Sequence, residues 1–87
     1  MVRSPLSQHQ RQRGLALGRT LQRARGRRSA AEVALRAGVA IDTLRKIERG
    51  AIPNPAFFTV AAVARVLRLD LDHLADELLD SERSSAA

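Results

Sequence analysis

The stretch from Ala34 to Gly50, ALRAGVAIDTLRKIERG, constrains this chain more than any other. A small residue at Ala34 is followed four positions later by Gly38, and apolar Leu44 and Ile47 stand six and nine positions after that glycine. Each position has a steric reason. Alanine lets two helices cross closely, and glycine supplies the left-handed dihedrals that end one helix and turn the chain. Two apolar residues three apart hold one face of the following helix inward. The pattern predicts two short helices folded tightly about Gly38, the second leaving its cations exposed and ending at Gly50.

The flanking sequence supplies three more helices and no strand. Leu17, Leu21 and Ala24 recur at helical spacing, in rough phase with Leu6 and Gln10, so a first helix is expected to run to about Arg25. Its start is open between Ser4 as cap with Pro5 in the first turn and a frayed basic arm over residues 1–13. Gly14 and Gly18 weaken the first half, because each glycine costs about 1 kcal/mol against alanine in a helix interior. Ser29 with Glu32 three residues later reads as a capping box for the second helix. After the third helix, Pro53-Asn54-Pro55 breaks the chain, with Asn54 expected as N-cap and Pro55 in the first turn. Phe57, Val60, Val63, Ala64 and Leu67 give the fourth helix its inward stripe. Asp70 caps a fifth, whose Leu71, Leu74 and Leu78 complete the core, while residues 81–87 read as a disordered tail. The expected architecture is all-α, one five-helix domain over residues 14–80.

Charge is divided between the halves of the chain. Residues 1–49 hold twelve basic residues against Glu32, Asp42 and Glu48, whereas residues 50–87 hold three against six acidic ones. A compact domain built from these halves has an electropositive face, the footprint expected for a polyanion. The 87 residues include no cysteine, no apolar run long enough for a bilayer and nothing like a signal peptide, so a cytoplasmic protein is expected. His9 lies in the basic arm and His73 on the acidic helix, neither near a second ligand. With no glycine-rich phosphate loop after a strand either, no catalytic centre, metal site or cofactor is expected.

These residues together resemble the Xre family of bacterial transcription regulators, whose helix-turn-helix domain is shared with Cro and other phage repressors. The resemblance rests on Ala37-Gly38-Val39, Thr43-Leu44, Ile47-Glu48-Arg49-Gly50, Asn54-Pro55, Thr59-Val60, Val63-Ala64 and Leu71-Asp72-His73-Leu74. It covers roughly Leu17 to Leu78. It implies a phage-repressor-like fold, double-stranded DNA as partner and a third helix that enters the major groove. Two family features are absent: the usual capping serine or threonine of the recognition helix is Ala40, and the glutamine that usually opens the second helix is Ala30. The link at Gly26-Arg27-Arg28 is also about two residues shorter than usual.

By the same resemblance, Ile41, Asp42, Arg45 and Lys46 are the candidate base readers. Arg45 can donate two hydrogen bonds to guanine, or can pair with Asp42 or Glu48 on a solvated helix. Lys46 can reach guanine or phosphate. Ile41 can pack on a thymine methyl or cover the edge of the core. Asp42 can accept from cytosine N4, although a carboxylate in a first turn is favourable through the helix dipole alone. Arg27, Arg28, Ser29, Thr43, Arg49 and Asn54 are candidate phosphate positioners, Ser29 in addition to its capping role. The family also implies an ion pair between Arg25 and Glu48 that orients the third helix.

One short helix reads few bases, so a homodimer on DNA is expected, with half-sites about 34 Å apart. Phe58, Leu79 and the outer sides of the last two helices are available for its interface. The alternative function is a protein-interaction module of the same fold, antitoxin-like or polymerase-associated, docking through the acidic fifth helix.

Overall fold

The computed structural model describes residues 7–86, with side chains described through Leu79. Among these residues there are five helices and no strand: α1 (Gln8–Arg25), α2 (Ala30–Ala37), α3 (Ile41–Glu48), α4 (Phe57–Leu67) and α5 (Leu71–Ala86). None is long and apolar enough to cross a membrane.

The core is where the periodicities converge. Leu17 and Leu21 of α1, Val33 and Ala34 of α2, Leu44 and Ile47 of α3, Val63 of α4 and Leu74 of α5 form one buried cluster. α1 packs across α3, α4 and α5, and α2 packs on α3 and α4. At the α2–α3 turn, Gly38 adopts φ 73° and ψ 29°, and its N–H donates to the carbonyls of Ala34 and Leu35. Ala34, 2% exposed, is the small residue at this crossing.

Glycines 14 and 18 have the opposite meaning from the one their helix propensity suggests. A Cβ on Gly18 would lie 2.5 Å from the carbonyl oxygen of Ile47 and collide with that of Glu48, while a Cβ on Gly14 would lie 2.6 Å from Cα of Pro53. The two glycines face one way along α1 and let the C-terminal end of α3, and the segment after it, approach the α1 backbone. Their propensity cost is offset by this approach.

Several ends differ from expectation. Ser4 and Pro5 lie outside the described residues, and α1 is capped instead by Ser7, whose Oγ accepts from Gln10 N at 3.1 Å while Gln10 Oε1 accepts from Ser7 N at 2.9 Å. Ser29 accepts from Glu32 N at 3.0 Å, but Glu32 turns its carboxylate towards Arg28, 3.6 Å away, so the second half of the box expected at α2 is not made. Asn54 and Pro55 do not start α4; Ala56 is extended, at ψ 142°, and the helix begins at Phe57. Contact of Pro53 with α1 at Gly14 holds this segment across α1 and delays the helix. Phe57 is 64% exposed and Leu71 38% exposed, so both stand outside the core in which they were expected. Asp70 caps α5, its Oδ1 accepting from Asp72 N at 3.0 Å. α5 continues to Ala86 through the segment read as a tail, since no glycine or proline interrupts residues 71–86.

Candidate nucleic-acid interface

The third helix is anchored on one side and open on the other. Leu44 and Ile47, 0% and 1% exposed, fix its inner face. Ile41, Asp42 and Arg45 are exposed on the outer face, with Lys46 half-buried beside them. Ala40 occupies the N-cap and makes no side-chain cap hydrogen bond, so the first N–H groups of α3 have no side-chain acceptor there.

The outer face carries both signs of charge. Lys46 Nζ lies 3.1 Å from Asp42 Oδ2, one turn earlier. Arg45 has no hydrogen bond or ion pair among the described residues, leaving its guanidinium available to a ligand. Neither Asp42 nor Glu48 holds it.

Behind this face, Arg25 and Glu48 lock α3 to α1. Arg25 Nε donates to Glu48 Oε2 at 2.7 Å and Nη2 to Oε1 at 2.9 Å, a two-pronged pair, while Nη1 donates to the Arg28 carbonyl at 2.8 Å. The side chains are 18% and 8% exposed. Hydrogen bonding to Glu48 holds the Arg25 pKa above its ordinary value against the opposing effect of burial. Among the described residues, no buried side-chain nitrogen or oxygen lacks a partner. The pair sits at the base of a groove between the α2 N-terminus and α3, whose walls include Gln22, Ser29, Ala30, Arg45 and Arg49.

That groove joins some of the candidates and leaves others apart. Ser29, Arg45 and Arg49 share it. Arg27 is exposed in the α1–α2 turn, whereas Arg28 is drawn onto the protein, its Nη1 donating to the Val66 carbonyl at 3.2 Å. Thr43 is half-buried on α3, and Asn54 lies in a separate, largely apolar depression with Pro53, Pro55, Phe57 and Val60. Gln22 was not singled out from the sequence. Its signal was present in the spacing, because Gly14, Gly18 and Gln22 follow one another at four-residue intervals and so share one face of α1.

No curated protein matches the chain. A family model described as a helix-turn-helix domain matches residues 16–78, from the middle of α1 to the middle of α5. With the glycine turn, the anchored α3 and the five-helix core, that match covers every element that shapes the groove. The chain is a member of the helix-turn-helix domain family, in the Xre/Cro-like clan.

Proposed function

We propose that this protein is a sequence-specific regulator of transcription that binds double-stranded DNA by inserting α3 into the major groove, acting in the cytoplasm at the nucleoid. The observation that carries this reading is Arg45: exposed and unpaired among the described residues, on a helix whose opposite face is fully buried. The α2 N-terminus at Ser29 and the guanidinium of Arg49, in the same groove, are suited to grip the phosphates that flank the reading helix. Exposed Arg27 adds to the positive field of this side.

The reading includes a homodimer on DNA, supported by the shortness of α3, because one short helix reads few bases. The domain measures 37 × 31 × 19 Å, a size that allows two copies to sit on successive major grooves about 34 Å apart on one side of DNA.

Arg45 also supplies the test. Selection of random duplexes on the purified protein yields a two-fold symmetric site, and Arg45→Ala loses about 1–3 kcal/mol of discrimination at one guanine per half-site. Affinity for the selected duplex falls steeply with salt, with a log–log slope of about −0.9 per neutralised phosphate. A flat salt dependence with tight, DNA-independent capture of a protein on the acidic face of α5 favours the interaction-module reading instead.

A further inference from the structure

A carboxylate on the outer face of α3 opposes the field that would draw this face to DNA. Asp42 is nonetheless there, 72% exposed, with Lys46 Nζ held 3.1 Å away. The helix dipole makes an acidic residue tolerable in a first turn. It does not explain why that residue ties up one of the two cations, Arg45 and Lys46, beside it.

Base-edge chemistry gives the combination a use. In the major groove cytosine offers an N4 amino donor and its guanine partner offers O6 and N7 acceptors, side by side on one base pair. A carboxylate accepts from the first and an ammonium donates to the second. Where thymine replaces cytosine, a carbonyl oxygen faces the carboxylate and the two acceptors repel.

We propose that Asp42 and Lys46 form the specificity element of α3 and together read one C·G pair, Asp42 accepting from cytosine N4 while Lys46 turns to guanine. On other sequences the pair stays closed and withholds Lys46 from the phosphate backbone. Asp42 thereby lowers affinity for DNA in general and raises selectivity for one site. This inference rests on the DNA-binding reading above.

The test compares the full chain with Asp42→Ala and Asp42→Asn, using random-duplex selection and fluorescence anisotropy on a random duplex and on the wild-type-selected duplex from 50 to 200 mM salt. Both variants alter a solvated residue, and melting temperatures within about 2 °C of the parent establish that they fold. The wild-type chain selects C·G at one position of each half-site. Asp42→Ala loses that preference and keeps the others, and Asp42→Asn shifts the position towards adenine, which an amide reads through N6 and N7.

On the random duplex, Asp42→Ala binds more tightly than the parent, and its log–log slope steepens by about 0.9 as Lys46 engages one more phosphate. The affinity advantage of the variant therefore shrinks about 3.5-fold between 50 and 200 mM salt. Unchanged base preferences and an unchanged slope in Asp42→Ala, with normal binding by the parent, overturn the assignment to Asp42 alone. A parent chain that binds no duplex overturns the DNA-binding reading itself.

Discussion

Glu48→Ala lowers the melting temperature of this domain by roughly 10–20 °C, the consequence of losing about 2–4 kcal/mol. The magnitude comes from what is left behind. Arg25 is 18% exposed and makes two of its three protein hydrogen bonds to Glu48, so removal of the carboxylate strands a guanidinium with only the Arg28 carbonyl. The opening of the groove to solvent keeps the loss at the lower end of the range for buried pairs. Glu48→Gln retains a neutral acceptor and loses about half as much. Because the pair joins α1 to the last residue of α3, both substitutions also loosen the pose of α3 and are expected to weaken the DNA binding proposed for it. Thermal melts followed by circular dichroism, with anisotropy on the same samples, check both effects; a Glu48→Ala melt within 2 °C of the parent would contradict the role assigned to the pair.

Gly18→Ala destabilises the domain by about 2–3 kcal/mol, although helix propensity alone favours the substitution by about 1 kcal/mol. The two effects have opposite signs, and geometry decides between them. The added methyl meets backbone on the other side: the carbonyl oxygen of Ile47 at 2.5 Å and the carbonyl carbon of Glu48 at 2.8 Å. A flexible side chain can move aside, but a helix terminus carrying Ile47 in the core and Glu48 in an ion pair cannot. Urea unfolding measures the loss as a lowered midpoint with an unchanged slope. A variant as stable as the parent would show that α1 and α3 are free to separate.

The α2–α3 unit is legible in the sequence because its constraints are local. Gly38 must be tolerant of a positive φ, Ala34 must be small, and Leu44 and Ile47 must share a face; all lie within fourteen residues. Arg25 and Glu48 become a pair only through a resemblance, since nothing local links residues 23 positions apart. Gly14 and Gly18 are visible as letters but misleading as helix residues, because their value depends on α3 and Pro53, which come from elsewhere in the chain. The start of α4 fails for the same reason: Asn54 and Pro55 make a sound local cap, and a tertiary contact overrides it. Glu32 shows the converse, where a correct capping pattern is half used because Arg28, four residues earlier, offers its carboxylate a charged partner.

The outer face of α3 is legible as a list of residues but not as an arrangement. Sequence allows Arg45 to pair with Asp42; in the structure Asp42 holds Lys46 and leaves Arg45 free among the described residues. On a helix both the i,i+3 and the i,i+4 neighbour of Asp42 can pair with it, and the structure selects Lys46 at i,i+4.

The most direct test of α3 as the reading helix is an amide chemical-shift map of the isotopically labelled protein, titrated with a selected duplex of about 20 base pairs, enough for two half-sites. The expected result is that the largest shifts fall on Ile41, Asp42, Arg45 and Lys46, with a second group at Ser29–Ala31 and Arg49, all fading as salt rises from 50 to 200 mM, while Asp72, Asp76 and Glu77 on α5 stay in place. No shifts at the lower salt, or shifts gathered on α5 with α3 unmoved, would contradict the assignment of α3 to the DNA groove.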